Sequence, residues 1–495
     1  MSVIDPELGR PELGWRLEAT YAALPAVFHR PAGAARFAAP RAVVTNHPLG
    51  QELGLALEQL SDEQAGALFT GQRLPTGAVP IAQAYAGHQF GGFTMLGDGR
   101  AMLWGEQRTS DGRLFDLQFK GSGPTEYSRR GDGLAALGPM LREMIISEAM
   151  AQLGTPTTRS LAVAVTGQPV YRETRLPGAV LTRVAASHLR VGTFEYASAI
   201  RDPEALRSLA DYALRRHDPD LIDRSDRYLA WLDRVIDRQA SLIASWQAIG
   251  FVHGVMNTDN MAISGETIDY GPCAFLDVYE PRTVFSSIDS EGRYAYVNQP
   301  AIAQWNLARF AETLLPLIDP VETKAIEAAT ERIRDFPRRF DERFLERMRG
   351  KLGWQTASSG DRVLIDDLLE RMRRAEADFT VTFDRLSTLE ATPGEEDPLM
   401  PIIGDWIGKW ERRVAAEGSD PVAARERMRR ANPCVIPRNH QVEAALRQAT
   451  ETGDLSALEG LMKGLTGPYD RRPDQDPYRQ PPAPGGCRYR TFCGT

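Results

Sequence analysis

The sequence of 495 residues has little cysteine, little histidine and no long apolar run. Its 4 cysteines (Cys273, Cys434, Cys487 and Cys493) are too few for a disulfide scaffold and lack the paired spacing of zinc ligands. The 7 histidines show no metal-ligand spacing either. No apolar stretch approaches the roughly 20 residues that a helix needs to cross a bilayer. These absences argue against a disulfide-rich domain, a zinc domain and a membrane-spanning protein.

An excess of positive charge is also missing. Lys and Arg total 58 against 66 Asp and Glu, which gives a net charge of -8. A general nucleic-acid binder needs a basic surface, so we expect no nucleic-acid partner, although local basic clusters suffice for one nucleotide. Residues 1–7 have no basic start, apolar core or cleavage site, so we expect a cytoplasmic protein.

The length and the changing composition predict several structural units. Residues 1–80 are rich in Pro, Gly and Ala, and we expect an N-terminal extension that is extended and partly wrapped around the rest. Residues 81–199 have a β-rich pattern with one strong helix, and residues 200–465 are mostly helical in pattern. Residues 466–495 contain Pro-rich runs, which predict an extended tail.

Local patterns predict individual elements inside these units. Strands are expected over 100–106 and 113–120, because the turn pair Asp111-Gly112 lies between them. A helix is expected over 134–154, with Gly154 as its stop. Further strands are predicted around 161–165 and 180–184, and further helices over 226–249, 305–318, 323–349 and 364–379.

The loop from His253 to Asn260 is the most informative part of the chain. In a kinase loop of the form H-x-D-x-x-x-x-N, the Asp accepts the substrate proton and the Asn holds a metal ion. His253 and Asn260 keep that separation, but Val255 stands in the position of the Asp, and a carboxylate follows at Asp259 instead. Either the site is inactive, or the same parts serve a different reaction.

Asn260 and Asp269 are spaced as oxygen ligands on either side of a predicted short hairpin, 261–268. Mg²⁺ prefers such ligands together with phosphate oxygens. Asp259 is either a base for an attacking hydroxyl or a support for the metal ligands. We expect His253 to pack the loop rather than to act in catalysis.

The first of two glycine turns, Gly97-Asp98-Gly99-Arg100, stands before a predicted strand, where backbone N–H groups can face an anion. Lys120 closes the next strand, and Glu143 lies on the following helix, as a nucleotide-holding lysine and its carboxylate partner would. The alternative is an ordinary hairpin turn, a solvated lysine and a surface carboxylate.

The second turn, Arg129-Arg130-Gly131-Asp132-Gly133, precedes that helix, whose N-terminal amides favour phosphate oxygens. Asp132 is equally suited to cap the helix. Arg183 lies in an otherwise apolar strand, and Arg190 follows it. Because an unpaired buried guanidinium is costly, Arg183 indicates either a buried ion pair or a phosphate clamp.

A β-rich lobe followed by a helical lobe, with the loop motif just inside the second, is the layout of a two-lobed, protein-kinase-like α+β fold. The chain also resembles the selenoprotein O family of protein adenylyltransferases, which are pseudokinases, from about residue 81 to the tail. The resemblance is carried by Gly87-His88-Gln89-Phe90-Gly91, Gly97-Asp98-Gly99-Arg100, Lys120-Gly121-Ser122-Gly123, Tyr127-Ser128-Arg129-Arg130-Gly131-Asp132-Gly133, Val170-Tyr171-Arg172-Glu173-Thr174, Ser187-His188-Leu189-Arg190, His253-Gly254-Val255-Met256-Asn257-Thr258-Asp259-Asn260, Ile268-Asp269-Tyr270-Gly271-Pro272, Asn298-Gln299-Pro300 and Arg438-Asn439.

The resemblance implies that ATP binds inverted relative to a kinase, so that AMP passes to a Ser, Thr or Tyr hydroxyl of a protein. It implies that Glu143 pairs with Lys120, that Asn260 and Asp269 bind Mg²⁺, and that Asp259 is the base. UMP transfer from UTP with Mn²⁺ is implied as a second activity. The nucleotide-binding residues that it implies are Gly97, Gly99, Arg100, Lys120, Asp132, Gly133, Arg183 and Arg190.

The family also ends in a redox-active selenocysteine or cysteine, a position that Cys493 resembles. Related bacterial members place a partner cysteine after the metal turn, where this chain has Phe285. Cys273 or Cys487 is available as a substitute, and a free thiol at Cys493 is the alternative.

Two other functions stay open at this point. A kinase, or a phosphotransferase like the aminoglycoside kinases, would transfer the γ-phosphate instead of AMP. A non-catalytic pseudokinase scaffold or redox-sensing module would bind nucleotide without turnover. The retained lysine and metal ligands argue against the scaffold.

Overall fold

The computed structural model describes residues 2–389, 397, 399–483 and 489–491. Its strands are β1 (Val3–Ile4), β2 (Leu17–Glu18), β3 (His29–Pro31), β4 (Arg41–Thr45), β5 (Arg73–Leu74), β6 (Ile81–Gln83), β7 (Ala86–Gln89), β8 (Gly92–Met95), β9 (Ala101–Arg108), β10 (Leu114–Lys120), β11 (Ala135–Ala136), β12 (Arg159–Tyr171), β13 (Arg175–Ala185), β14 (Phe251–Val252) and β15 (Ala274–Phe275). Its helices are α1 (His47–Glu52), α2 (Asp62–Phe69), α3 (Leu137–Gln152), α4 (Val191–Ala199), α5 (Pro203–His217), α6 (Arg227–Ile249), α7 (Gln299–Ile318), α8 (Glu322–Arg334), α9 (Phe336–Lys351), α10 (Asp361–Arg374), α11 (Phe379–Thr388), α12 (Met400–Ile403), α13 (Trp406–Ala416), α14 (Pro421–Ala431), α15 (Asn439–Thr452), α16 (Ser456–Leu465) and α17 (Asp476–Arg479).

A nine-stranded sheet has the order β3-β6-β9-β10-β13-β12-β4, with β2 paired to β9 and β11 paired to β13. The predicted strand pair around Asp111-Gly112 is confirmed as β9 and β10, which are antiparallel, and Gly112 takes the positive φ of 87° that the turn requires. The strands predicted around 161–165 and 180–184 are confirmed as β12 and β13. An α+β composition, with a sheet region followed by a helical region, is therefore established.

The expectation of an extended, wrapping segment before residue 81 was wrong. Strands β2, β3 and β4 join the nine-stranded sheet, and helices α1 and α2 pack beside it. Buried apolar side chains of this segment, including Leu49, Leu68 and Phe69, form a core with Trp104 and Phe119 of the sheet. Short strands of two to five residues carry too weak an alternation to be recognised without their partners.

The helical part confirms the helix predicted over 226–249 as α6, which ends at Gly250 with φ 72°. The single helix expected over 323–349 is two helices instead. Helix α8 ends before Asp335 and α9 follows, because Pro337 offers no N–H to continue the ladder. The single helix expected over 364–379 is likewise interrupted. Helix α10 ends at Arg374, and Asp378 caps α11 by accepting the Val381 N–H at 2.8 Å.

Helix α3 connects the sheet to the helical part. It begins at Leu137 with Ala136 as its N-cap, so Asp132 does not cap it. Buried side chains of α3, including Leu141 and Ile145, share one core with residues of α6 and α7. A second core lies among helices α9 to α14. The sheet and the helices thus meet along α3.

Two further expectations were wrong in detail. Residues 261–268 do not pair with each other as a hairpin; Ala262 instead bridges to Arg190, and Thr267 bridges to Thr157. The tail is not wholly extended, because α17 forms in it and Gln475 is buried. No helix of the described residues is long and apolar enough to cross a membrane.

Candidate active site

A cleft of about 870 Å³, here called the central cleft, lies between the sheet and the helical part. Strands β9, β10 and β13 and helix α3 contribute to one side, and the loop 255–260, the segment 269–272 and helix α15 contribute to the other. Eight of the predicted site residues line it, namely Gly99, Arg100, Lys120, Arg183, Arg190, Asp259, Asn260 and Asp269.

Strand geometry brings Lys120 and Arg183 to the same face of the sheet. Gln118 is the partner of Arg183 across the β10–β13 ladder, and Lys120 lies two residues further along β10. Because side chains alternate along a strand, all three point to one face, and all three line the central cleft. Lys120 is 6% exposed and Arg183 is 2% exposed, so both charges need partners.

Glu143 of α3 supplies one of those partners. Its Oε2 atom lies 2.7 Å from Nζ of Lys120, and its Oε1 atom accepts from Nε of Arg183 at 2.8 Å. Burial alone would raise the pKa of Glu143, but the charges of Arg183 and Lys120 outweigh it and lower that pKa. The buried ion pair proposed for Arg183 is therefore present. The pairing of Glu143 with Lys120 is present as well.

Asp269 is the second partner, and three cations converge on it. Its Oδ1 atom lies 2.8 Å from Nζ of Lys120 and 2.6 Å from Nη2 of Arg183, while its Oδ2 atom lies 3.3 Å from Nη1 of Arg190. Burial opposes its charge, but the three cations hold the pKa of Asp269 well below its usual value. Asp269 also adopts a positive φ of 64°, a strained conformation of the kind found at functional turns.

Arg190 stands immediately before α4 and connects the sheet side of the cleft to the loop. Its Nη1 atom donates to the main-chain oxygen of Asp259 at 3.1 Å, and its guanidinium lies 4.7 Å from the ring centroid of Tyr85. Asp98, which the sequence presented only as part of a turn, is buried with Oδ1 4.0 Å from Arg190. An Asp between two glycines is ordinary in turns, so no sequence pattern identified this contact.

Asp259 lies in a short 3₁₀ turn over Thr258–Asn260 and is 7% exposed. Its Oδ1 atom has no hydrogen-bond partner among the described residues, and its Oδ2 atom is 3.5 Å from Nε2 of Gln89. Burial raises the pKa of Asp259 to about 6, although Arg190 lowers it in part. A buried carboxylate oxygen without a partner is costly unless a ligand or water completes it.

Hydrogen bonds within the loop and to neighbouring segments hold the rest of it. The side-chain amide of Asn260 donates to the Val255 carbonyl at 3.0 Å, which leaves the amide oxygen of Asn260 as its acceptor. His253 is fully buried, and its ring bonds to the Ile268 carbonyl at 2.8 Å, as expected of a residue that packs the loop. Val255 lines the cleft, so no carboxylate stands in the kinase position.

Three predicted nucleotide-binding residues do not line the central cleft: Gly97, Asp132 and Gly133. Gly97 lies against the ring of Tyr127 with φ 150°. The carboxylate of Asp132 is exposed and accepts from Nη1 of Arg172 at 2.8 Å. The turn that carries Asp132 leads into β11, and Ala136 at the end of β11 does reach the cleft.

The hairpin of β7 and β8 covers the loop, which the sequence did not predict. The His88 N–H donates to the Thr258 hydroxyl at 2.7 Å, and the Phe90 N–H donates to Oδ1 of Asn257 at 3.1 Å. A Cβ on Gly87 would lie 2.5 Å from Oδ1 of Asp259. Glycine at position 87 therefore permits the close approach of the hairpin to Asp259.

The end of the described tail also reaches the cleft. The Thr491 N–H donates to the Phe285 carbonyl at 2.8 Å, and the Thr491 hydroxyl donates to the Pro272 carbonyl at 2.8 Å. The tail therefore lies beside the segment that follows Asp269. Cys487 and Cys493 lie outside the described residues, so the disulfide alternatives stay predictions.

Comparison with known proteins identifies the group to which this site belongs. A family model described as protein adenylyltransferase SelO matches residues 12–466. The chain belongs to the SelO family. The predicted resemblance is confirmed, and with it the assignment to nucleotidyltransferase enzymes.

Members of the SelO family that are curated as protein nucleotidyltransferase YdiU match nearly the whole chain. The Geobacillus kaustophilus (strain HTA426) protein is 55% identical over 484 residues, which cover 98% of this chain and 100% of the relative. The Bacillus cereus (strain AH187) protein is 53% identical over 486 residues, which cover 98% of this chain and 99% of the relative. The Anoxybacillus flavithermus (strain DSM 21510 / WK1) protein is 54% identical over 481 residues, which cover 97% and 99%.

Proposed function

We propose that this chain transfers AMP from ATP to Ser, Thr or Tyr hydroxyls of proteins and releases pyrophosphate. The observation that carries the proposal is the convergence of Lys120, Arg183 and Arg190 on one buried carboxylate, Asp269, in the central cleft. Three cations exceed what a single lysine of a kinase supplies, and their N–H groups can bond to polyphosphate oxygens. Val255 in place of the kinase base agrees with a reaction at a different phosphate.

An inverted nucleotide accounts for the position of these charges. In this orientation the β- and γ-phosphates contact Lys120, Arg183 and Arg190, and the α-phosphate faces the loop with Asp259. The further contacts follow the family resemblance, and we assign them to Gly97, Gly99, Arg100, Asp132 and Gly133. Of these residues, Gly99 and Arg100 also line the cleft.

The residues present fit a divalent cation. Asp269 offers carboxylate oxygens, Asn260 keeps a free amide oxygen, and the buried Oδ1 of Asp259 has no partner among the described residues. These are the hard oxygen donors that Mg²⁺ and Mn²⁺ prefer. The described residues contain no group of three or more His, Cys, Asp or Glu side chains that could hold a metal ion, so phosphate oxygens must complete the ligand set. When bound, the metal neutralises phosphate charge.

The chain's own groups suffice to describe the transfer. Asp259 takes the proton from the acceptor hydroxyl, and the hydroxyl oxygen forms a bond to the α-phosphorus. The bond from the α-phosphorus to the bridging oxygen breaks, and pyrophosphate leaves with the electron pair. Lys120, Arg183 and Arg190 stabilise the charge that develops on the pyrophosphate. With a pKa of about 6, Asp259 is largely ionised at neutral pH yet still basic.

The finer features of the resemblance are proposed together with this reaction. The two-lobed, protein-kinase-like arrangement has its N-lobe over 81–199, to whose sheet residues 1–80 add strands, and its helical lobe over 200–465, which the tail 466–495 follows. UTP with Mn²⁺ serves as a second substrate pair, and the protein acts in the cytoplasm.

Labelled ATP tests the proposal. Label in the α position should appear on protein and label in the γ position should not, and intact-mass analysis should show a nucleoside-monophosphate increment. Transfer of γ-label alone would instead identify a kinase. Nucleotide binding with no transfer to any protein of a cell extract would identify a scaffold. Asp269→Ala serves as the inactive control in each experiment.

A further inference from the structure

The β7–β8 hairpin has exposed apolar side chains beside the central cleft. Phe90, Phe93 and Met95 are 41%, 47% and 43% exposed. Phe90 lines the cleft itself, and Ile288, which is 59% exposed, lines it as well. Exposed apolar groups clustered beside a catalytic cleft are typical of a surface that contacts another macromolecule.

The register of the hairpin shows that one edge of strand β8 has main-chain N–H and C=O groups that do not bond to β7. The turn Phe90-Gly91 has two residues, so Gln89 and Gly92 form the hydrogen-bonded pair that closes the hairpin. The next pair, His88 and Phe93, is then a non-hydrogen-bonded pair, whose N–H and C=O groups point away from each other.

Contacts of the hairpin agree with this register. The His88 N–H donates to the Thr258 hydroxyl at 2.7 Å and not to β8. On the other side of the hairpin, the main-chain groups of Phe93 and the N–H of Met95 point outward. In the part of the chain that the structure describes, β7 is the strand that pairs with β8, and no other strand does.

Strand β8 itself lacks proline and charged residues, although Arg129 from another segment covers the Met95 carbonyl. The four residues of β8, Gly92-Phe93-Thr94-Met95, include no proline and no charged side chain. Natural edge strands are commonly blocked by lysine, proline, a bulge or a covering element. An apolar edge without these features is suited to pair with a further strand.

The charge around this edge is positive. The guanidinium of Arg129 donates to the Met95 carbonyl, and Arg293 lies 3.9 Å from the position of a Cβ on Gly91. Arg293 packs over Trp305, with 5.0 Å to the ring centroid, and not against a carboxylate. Within the described residues neither arginine forms an ion pair, although the whole chain has a net charge of -8. The surface therefore complements an acidic partner.

We propose that β8 is the docking edge for the acceptor protein, which adds an extended, acidic segment to it as a third strand. Main-chain bonds to Phe93 and Met95 hold the segment, and Arg129 and Arg293 select acidic residues in it. Gln89 of β7 contacts Asp259, so the added strand lies on the opposite side of the hairpin from the proposed base, and an adjoining part of the acceptor reaches the central cleft past Phe90. Only the identification of the occupant as the acceptor rests on the proposed function.

Hydrogen exchange resolved to single amides tests the docking. The probe is a nine-residue peptide in which valine alternates with glutamate around one central tyrosine. It should slow exchange at the Phe93 and Met95 amides at least fivefold, while the Thr94 amide, already bonded within the hairpin, changes little. A peptide with lysine in place of glutamate should bind at least fivefold more weakly. Protection elsewhere, no protection, or equal binding of the two peptides would overturn the proposal.

Charge reversal provides a variant whose effect on peptide binding can be told apart from a loss of folded protein. Arg129→Glu should weaken binding of the glutamate peptide and strengthen binding of the lysine peptide. Misfolding cannot produce such a reversal. Phe93→Pro removes one outward N–H and should weaken both peptides while ATP affinity stays unchanged. Unchanged peptide preference in Arg129→Glu would refute the charge selection and the proposal with it.

The same samples separate this inference from the proposed function. If wild-type protein transfers no α-label to any acceptor but β8 is protected by the peptide, the proposed function fails and the docking edge stands. Protection of the same amides by a second copy of the chain, seen as a concentration-dependent dimer without peptide, would assign the edge to self-association and overturn the proposal.

Discussion

Lys120 and Asp269 lie 149 positions apart in the sequence, and their charged groups are 2.8 Å apart in the central cleft. Glu143 shares the same ammonium group at 2.7 Å. Arg183 connects the two carboxylates from the neighbouring strand. Arg190 and Asp98, 4.0 Å apart, add a third cation and a third carboxylate, so the cluster is charge-balanced within the protein. The metal–nucleotide complex proposed above would exchange partners with it.

Asp269→Asn should reduce AMP transfer by at least about a hundredfold, because the amide removes one metal-ligand charge at the developing transition state. Three cations then face two remaining buried carboxylates, Glu143 and Asp98, so affinity for metal-free ATP should rise. Isothermal titration with ATP in the presence of a chelator measures the second effect. Weaker binding of metal-free ATP by Asp269→Asn would contradict the assignment of the three cations to the polyphosphate.

Gly87→Ala should lower kcat by about tenfold to a hundredfold, since its Cβ would stand 2.5 Å from Oδ1 of Asp259 and displace the proposed base or the hairpin. The matched control is Gly360→Ala, where a Cβ meets nothing within 4 Å. Initial-rate kinetics with both variants check this. Equal kcat values for the two would show that the hairpin does not constrain Asp259.

Arg183→Met should lower the free energy of unfolding by about 3–5 kcal/mol, because Glu143 and Asp269 lose a buried partner. The control is Arg362→Met, whose ion pair with Asp341 is about half exposed and should cost less than about 1 kcal/mol. Urea unfolding measures both. Similar losses for the two variants would indicate that the buried cluster contributes no more than a surface pair.

Lys351 is a buried lysine at the end of α9, with Nζ 4.1 Å from the ring centroid of Phe383. Burial lowers its pKa from 10.5 to about 7, so between these pH values the unfolded state binds more protons than the folded state. Stability should therefore rise with pH from about 7 to 10.5 through this group. Lys351→Met should remove that rise and be the more stable protein at pH 6. Thermal unfolding at several pH values measures this difference. Parallel curves of stability against pH for the wild-type and Lys351→Met proteins would refute the prediction.

Cys273 should resist alkylation in the native protein. Its thiol is fully buried, and burial raises its pKa to about 12. Mass spectrometry after iodoacetamide treatment at pH 7.5 should find it unmodified without denaturant and fully modified with it. Rapid native modification would contradict the burial of this thiol.

Local patterns were sufficient for the elements with strong periodicity or clear turns. Helix α6 and the β9–β10 pair were predictable, because an apolar stripe and the Asp111-Gly112 turn are short-range features. The loop motif with Asp259 and Asn260 was recognisable for the same reason. The prediction of an extended segment over residues 1–80 was wrong, since strands of a few residues become regular only by pairing with distant strands.

By itself, the sequence determined the family and the reaction class, and it predicted the charged residues and metal ligands of the candidate site, because these depend on residue types at short spacings. Only the tertiary structure decided how they combine. It brought Lys120, Arg183 and Arg190 onto Asp269, left Asp132 outside the cleft, and placed the β7–β8 hairpin over Asp259. The physical reason is that buried charges and close backbone approaches depend on contacts between segments far apart in the chain.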